Sequence, residues 1–165
     1  MATDAAHRQW WQIFEVVFGI PFLAAIALQW AVPLAFPAWL PRPVLIALGA
    51  ALVIVGVGLV VAARRELHRQ GQPSDPGHPT SALVTSGVFS VSRNPLYLGG
   101  VLAIAGITLA LNWPWALVSL VPALVACHYV LIAPEERYLA ARFGVAYTAY
   151  AASVHRWLGR KRRER

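Results

Sequence analysis

The feature that most constrains the fold of this chain is a run of 38 residues, Leu96 to Ala133, without an aspartate, glutamate, lysine or arginine. A helix that crosses a bilayer needs about 20 apolar residues, so this run is too long for one crossing and long enough for two. The sequence Asn112-Trp113-Pro114-Trp115 near its middle combines a turn signal with indoles, which favour membrane interfaces. The run therefore predicts two membrane-spanning helices, over 96–111 and 113–133.

Two further apolar runs precede this pair. Residues 44–63 carry no charge, and residues 11–36 are apolar except for Gln12, Glu15 and Gln29. The whole chain is 58% hydrophobic and only 13% charged, which excludes a disordered chain and disfavours a water-soluble domain. We predict one all-α membrane domain over 1–165, an integral bundle of four transmembrane helices at 11–36, 44–63, 96–111 and 113–133.

The net charge of +7 could indicate a nucleic acid or an anionic membrane surface as partner, and the hydropathy favours the membrane. Thirteen of the 14 lysines and arginines fall on one side if both termini are cytosolic, and only Arg42 falls on the other. We therefore expect an integral membrane protein with both termini in the cytosol, in the plasma or inner membrane if the cell is bacterial. Nucleic acid is not expected as a partner, and the basic tail at 159–165 is expected to rest on lipid headgroups.

The predicted cytosolic loop, residues 64–94, is long for a connection without a function. It ends in Arg93-Asn94-Pro95, where Asn94 is a good helix N-cap and Pro95 a good first helical residue. This segment could simply start the third span, with Arg93 reaching to the headgroups. It could equally belong to a binding site.

An acidic pair, Glu135-Glu136, follows the fourth span directly. The pair could be stabilised by a helix dipole, or it could bind a ligand where the chain leaves the bilayer. Behind it, apolar and aromatic residues that include Tyr147 and Tyr150 recur at steps of three and four. This spacing predicts an amphipathic helix over 135–154 on the cytosolic face. Core packing is the simpler role for its tyrosines, as helix contact is for Gly56 and Gly58 in the second span.

The sequence shows no pattern of metal ligands. The five histidines are scattered, and Cys127 is the only cysteine. A metal or haem site needs convergent ligands, so we expect no metal.

Three motifs in order, taken together, resemble a known family. They are Leu83-Val84-Thr85-Ser86-Gly87-Val88-Phe89, then Arg93-Asn94-Pro95-Leu96-Tyr97, then Glu135-Glu136-x-x-Leu139-x-x-x-Phe143-Gly144-x-x-Tyr147-x-x-Tyr150. This arrangement, over roughly residues 44–158, resembles the isoprenylcysteine carboxyl methyltransferases. That family is akin to the membrane phospholipid N-methyltransferases.

The resemblance implies a methyltransferase that uses S-adenosylmethionine, yields S-adenosylhomocysteine and is built from transmembrane helices. It also implies a cofactor pocket at the cytosolic face, closed by the C-terminal helix. The expected partners are membrane lipid and a lipid-borne or small hydrophobic methyl acceptor. Arg93 and Glu135 carry the catalytic roles in this interpretation. The cofactor contacts fall on Ser81, Ala82, Leu83, Val84, Phe89, Asn94, Pro95, Leu96, Tyr97, Glu135, Glu136 and Tyr147, and on Gly56 and Gly58 by analogy with the phospholipid branch.

One position departs from the carboxyl-methylating members. They carry an arginine one turn before the acidic pair, thought to hold the substrate carboxylate, where this chain has Leu131. The sequence thus argues against a prenylcysteine carboxylate and leaves carboxylate, amine and thiol acceptors open.

Other functions are compatible with four short spans. A proton-coupled transporter could use Glu15 in the first span, which we expect to face the bundle. The long inner loop and the acidic pair favour the methyltransferase over this alternative. A membrane reductase that uses a nicotinamide cofactor and a non-catalytic scaffold with the same fold are further alternatives.

Overall fold

A computed structural model describes residues 13–73 and 80–161 of the chain. Some predicted features therefore lie partly outside the described residues: the start of the first span, the end of the basic tail, and the part of the cytosolic loop at 74–79.

The described chain is helical, and it contains no strand, only an isolated antiparallel bridge between Val154 and Arg160. The all-α fold class is therefore confirmed for these residues. The helices are α1 (Phe14–Ala31), α2 (Arg42–Arg69), α3 (Pro95–Leu111), α4 (Pro114–Ala126), α5 (Ala133–Phe143) and α6 (Val145–Ser153). A single 3₁₀ turn, Gly87–Ser90, lies in the loop between α2 and α3.

Helices α4 and α5 form one continuous rod. A π-helical segment, Cys127–Ile132, joins them, and residues at both junctions keep right-handed helical dihedral angles. Widened turns of this kind are rare and often lie at functional sites. Glu135 and Glu136 therefore do not begin a free helix, as the helix-dipole alternative requires, but lie within a rod that is already hydrogen-bonded.

Three described helical stretches are long and apolar enough to cross a membrane: α1, α2 and the rod Pro114–Phe143. Helix α3 is apolar but shorter, with 17 residues. Their length and apolar composition are those of helices that span a membrane.

Glycines set the contact between α2 and α3. A Cβ atom added to Gly49 would lie 2.5 Å from the carbonyl oxygen of Gly106, and one on Gly56 would lie 2.5 Å from that of Gly99. Two pairs of facing glycines thus allow the backbones to touch at two points, seven residues apart in each helix. Close packing of small residues is the usual way in which helices associate inside a bilayer. This geometry gives Gly56 the helix contact that is the simpler of its two roles, whereas Gly58, with nothing within 4 Å of an added Cβ atom, makes no such contact.

The predicted amphipathic helix over 135–154 is two helices. Gly144 separates α5 from α6 with a positive φ of 52°, a conformation that favours glycine. The chain turns there, so that Tyr147 and Tyr150 of α6 are buried with Val154 in a small cluster that Leu83 and Phe143 flank. The break brings α6 against the loop before α3.

The two ends of the bundle differ in chemistry. One end joins the C-terminus of α1 to the turn between α3 and α4 through bonds from Trp115 Nε1 to the Val32 carbonyl, 2.8 Å, and from the Phe36 N–H to Asn112 Oδ1, 2.9 Å. The opposite end holds the last turns of α2, the start of α3, and α5 and α6. Acidic and basic side chains meet at that second end, called the polar end below.

Candidate functional site

The centre of the polar end is an acidic side chain held between two arginines. Glu136 Oε1 lies 3.1 Å from Arg93 Nη1, and Arg156 donates to both carboxylate oxygens of Glu136, from Nε at 2.9 Å and from Nη2 at 2.8 Å. The side chain of Arg93 is only 11% exposed and that of Glu136 only 21%. Partial burial of this group strengthens its electrostatic interactions relative to those of a surface ion pair.

Arg93 does not reach out to the headgroups, as the simpler interpretation of the sequence proposed. Its Nη1 also donates to the Tyr147 hydroxyl at 3.1 Å, so the guanidinium points into the protein. Its Nε is buried and makes no hydrogen bond within the described residues. Since a buried, unpaired donor is costly, this atom marks a place where a ligand acceptor would be favourable.

Asn94 begins α3 but does not cap it with its side chain. Its Nδ2 instead donates to the Arg156 carbonyl oxygen at 3.0 Å, and Asn94 is buried. The position of the helix start was predicted correctly, whereas the predicted capping role of the Asn94 side chain is wrong. A tertiary hydrogen bond to the Arg156 carbonyl oxygen replaces the local one.

The second acidic residue meets an aromatic pair. Tyr97 donates from its hydroxyl to Glu135 Oε2 at 3.1 Å. The Tyr97 ring stacks on Phe14 of α1 with 6.4 Å between ring centroids, and Phe14 in turn stacks on Phe18 at 4.3 Å. Glu135 and Glu136 thus project to different partners, one to an aromatic hydroxyl and one to two guanidinium groups.

The loop before α3 is held by side chains rather than by regular structure. Gln72 is buried, and its Oε1 accepts from the Ser81 N–H at 2.8 Å and from the Ala82 N–H at 3.0 Å. Tyr138 of α5 accepts from the Thr80 N–H at 3.2 Å. These contacts fix the strip 80–84, whose Val84 is buried, next to α5 and α6.

Tyr150 fixes the 3₁₀ turn. Its hydroxyl donates to the Phe89 carbonyl oxygen at 2.7 Å. Burial raises the pKa of the Tyr150 phenol above its ordinary value of 10.0. Burial and the nearby Glu136 carboxylate likewise raise the pKa of Tyr147. Both hydroxyls therefore remain protonated throughout the physiological range.

The raised pKa of Tyr150 makes a prediction for alkaline stability. Above about pH 10 the unfolded chain releases the phenolic proton while the folded chain retains it, so the free energy of unfolding should fall as the pH rises. Tyr150→Phe should reduce this alkaline loss and cost about 1 kcal/mol at neutral pH through the missing hydrogen bond. Thermal unfolding of both proteins in detergent between pH 7 and pH 11 measures the two effects. Parallel curves for the two proteins would contradict the prediction.

Most sequence-predicted site residues meet at the polar end, but two do not. The hydrogen-bonded network and its walls contain seven of them: Phe89, Arg93, Asn94, Tyr97, Glu135, Glu136 and Tyr147. The strip from Ser81 to Val84 lies beside the network, and Pro95 and Leu96 lie in the first turn of α3. Gly56 instead lies in the α2–α3 contact. Gly58 is exposed, with nothing within 4 Å of an added Cβ atom, so it faces away from the network.

Two residues of the network were not singled out from the sequence. Gln72 was treated as part of a turn, and Arg156 as one of many positive charges near the C-terminus. An arginine among several basic residues carries no local signal of its partner. Glu15, expected to face the bundle, is exposed in the first turn of α1.

The part of the chain that the structure describes contains no group of three histidine, cysteine, aspartate or glutamate side chains placed to hold a metal ion. Leu131 and Cys127 are fully buried in the core between α1 and the π-helical segment. Leu131, at the position where the carboxyl-methylating members carry an arginine, is therefore surrounded by apolar side chains.

A comparison with family models matches residues 44–146 to the phospholipid methyltransferases. The match covers more than half of the chain, and it includes Arg93, Tyr97 and the acidic pair. The chain belongs to this family of membrane methyltransferases. The isoprenylcysteine carboxyl methyltransferases, which its motifs resemble, are related to this family. Searches of curated proteins and of solved structures gave no match.

Proposed function

We propose that this protein is an integral membrane methyltransferase that transfers the methyl group of S-adenosylmethionine to a lipid-borne or small hydrophobic acceptor. The observation that carries the proposal is the convergence of three separated motifs. The strip 80–89 and the segment 93–97 are neighbours in sequence, whereas the acidic pair follows only after α3 and α4, and the side chains of all three meet at the polar end. The family membership supports the same chemistry.

The chemistry of the donors fits the amino acid portion of S-adenosylmethionine. Arg93 retains a buried Nε donor beyond those that contact Glu136 and Tyr147, and this donor suits the cofactor's carboxylate. Glu135 offers a carboxylate for the α-ammonium group. The faces of Tyr97 and Phe89 suit the sulfonium and the adenine.

Methyl transfer of this kind is an in-line displacement from sulfur, so the protein chiefly positions the reactants and excludes water. Arg93 and the strip 80–84 would hold the donor. A carboxylate or a thiolate acceptor needs no base, whereas an ammonium acceptor must first lose a proton. Glu135, bonded to the Tyr97 hydroxyl, is the residue proposed to take that proton.

The acceptor class stays open among carboxylate, amine and thiol, but one observation bears on it. Leu131 is fully buried among apolar side chains and offers no cation for a substrate carboxylate. This favours an acceptor other than a prenylcysteine carboxylate.

We also propose four spans with both termini in the cytosol, which would place the polar end at the cytosolic membrane surface. The charge distribution of the sequence supports this orientation, because 13 of the 14 lysines and arginines then lie inside. Single cysteines at 70 and 39, in a Cys127→Ala background, test it. Labelling by an impermeant reagent in right-side-out vesicles should occur at 39 and not at 70.

The activity is tested with S-adenosylmethionine labelled in the methyl group, mixed with purified protein and a total membrane lipid extract. Label should move into the organic phase with wild-type protein and not with Arg93→Ala. Label that stays in the aqueous phase but on a new small molecule would indicate a soluble acceptor. Absence of any new labelled product, with no binding of S-adenosylhomocysteine, would contradict the proposal and favour a transporter or a scaffold.

A further inference from the structure

The last described residues form a short loop that the family match does not reach. The match ends at residue 146, and the loop, residues 154–161 (the C-terminal loop), follows α6. Its backbone closes on itself: the His155 N–H donates to the Gly159 carbonyl at 2.8 Å, and the Lys161 N–H to the Ser153 carbonyl at 2.8 Å. Gly159 has a φ of 103°, which other residues adopt only with strain, so the loop has a defined shape.

This loop docks on the segment that carries Arg93. The Gly159 N–H donates to the Val91 carbonyl at 2.6 Å, and the Arg93 N–H donates to the His155 carbonyl at 3.2 Å. Together with the bond from Asn94 Nδ2 to the Arg156 carbonyl, these contacts fix the backbone of Arg156 beside the start of α3.

The side chain of Arg156 is aimed from this position at Glu136. It binds both carboxylate oxygens, and Glu136 Oε1 is shared between Arg156 Nε and Arg93 Nη1. The hydrogen bond to Glu136 raises the pKa of Arg156, so the guanidinium stays charged. Two-point binding by a planar guanidinium fixes the orientation of a carboxylate as well as its position.

We infer that Arg156 is a positioning residue of the methyltransferase site, acting through Glu136 on Arg93. Held by Arg156, the carboxylate of Glu136 meets Arg93 at Nη1, and Arg93 Nε keeps no hydrogen-bond partner among the described residues. Without Arg156, Glu136 would be free to turn and bind Arg93 at both Nε and Nη, the preferred geometry of an arginine–carboxylate pair. Arg93 would then be withdrawn from the cofactor's carboxylate. This inference rests on the proposed function.

The test is a double-mutant cycle on the affinity for S-adenosylhomocysteine, measured with wild type, Arg156→Ala, Glu136→Gln and the double variant. Arg156→Ala should weaken binding by about tenfold to a hundredfold, the range for one charge-assisted contact. In the Glu136→Gln background Arg156→Ala should have almost no further effect, because the Glu136 carboxylate through which Arg156 acts on Arg93 is absent.

Two further variants separate positioning from simple stabilisation of the loop. Arg156→Lys keeps the charge but not the two-point geometry, so it should recover only part of the affinity while restoring the melting temperature. Arg160→Ala, an exposed arginine of the same loop, should bind like wild type.

The outcomes distinguish this inference from the proposed function. Wild-type protein that folds but does not bind S-adenosylhomocysteine would overturn both. Wild type that binds, with Arg156→Ala equal to it, would overturn the role of Arg156 alone. The losses of affinity in the two single variants could instead add up in the double variant, with the affinity following the melting temperature across all variants. Arg156 would then be only a structural contact, and this result would also overturn the inference.

Discussion

Arg93→Ala will weaken the binding of S-adenosylhomocysteine by a hundredfold or more, the largest loss expected from any single side chain of the site. Arg93 is largely buried and contacts Glu136 and Tyr147, and its Nε has no hydrogen-bond partner in the described part of the chain. Loss of the charge-assisted hydrogen bond from Nε to a ligand carboxylate, together with loss of the positive charge, would cost about 3 kcal/mol in this partly buried setting, which corresponds to about a hundredfold in affinity. Equilibrium dialysis with radiolabelled S-adenosylhomocysteine measures the change.

Two variants control this result. Arg137→Ala removes an exposed arginine of α5, and it should leave the affinity unchanged within about twofold. Arg93→Lys keeps the charge but cannot offer Nε and Nη together, so it should recover only a minor part of the affinity. An Arg93→Ala protein that folds and binds as wild type does would place the cofactor's carboxylate elsewhere.

Gly49→Ala will cost about 2–3 kcal/mol in the free energy of unfolding, the range for an overpacked contact. The added methyl group would lie 2.5 Å from the Gly106 carbonyl oxygen and 2.8 Å from the Ala110 nitrogen. Both are backbone atoms of α3, and they cannot rotate away as a side chain could. The helices must therefore separate, and the facing pair Gly56–Gly99 would lose contact as well.

The same helix supplies the matched control. An added Cβ at Gly58 meets nothing within 4 Å, so Gly58→Ala should be neutral or stabilising by up to about 1 kcal/mol, because alanine favours helix more than glycine does. Unfolding of both variants in mixed detergent micelles compares them directly. Equal stability of the two alanine variants would show that the close α2–α3 contact does not hold the bundle together.

The helices were predictable because long runs of uncharged, apolar residues identify membrane-spanning helices in a sequence. The run 96–133 and its turn at Asn112 predicted α3, α4 and the break between them, and Asn112 indeed adopts a left-handed conformation there. The predicted boundaries differ most where a helix leaves the apolar run. Helix α2 continues to Arg69, beyond the predicted end at 63, because arginine and glutamate are good helix formers outside the bilayer too.

The division at Gly144 was missed for a different reason. The stripe from Glu136 through Phe143 to Tyr150 keeps helical spacing across the glycine, so periodicity alone predicts one helix. The chain breaks at Gly144 because Tyr147 and Tyr150 then pack in a tertiary cluster with Leu83. A glycine within a periodic segment indicates that a break is allowed, and only the packing partners determine whether it occurs.

The site was predictable as far as its motifs are local. Arg93, Tyr97 and the acidic pair stand out from apolar surroundings, and the structure joins them through Glu136 and Glu135. The partner of Glu136 could not be predicted, because Arg156 lies among several other positive residues and its selection depends on the shape of the C-terminal loop. The same holds for Gln72, whose role depends on where the backbone of Ser81 and Ala82 passes.

The proposed function requires the polar end to hold S-adenosylmethionine. Photo-cross-linking of the tritiated cofactor to the detergent-purified protein tests this most directly, with the labelled peptides identified by mass spectrometry. We predict label in the segments 80–97 and 133–150, blocked by excess S-adenosylhomocysteine and reduced in Arg93→Ala. Blockable label confined to other segments, or label that the excess does not block, would contradict the account.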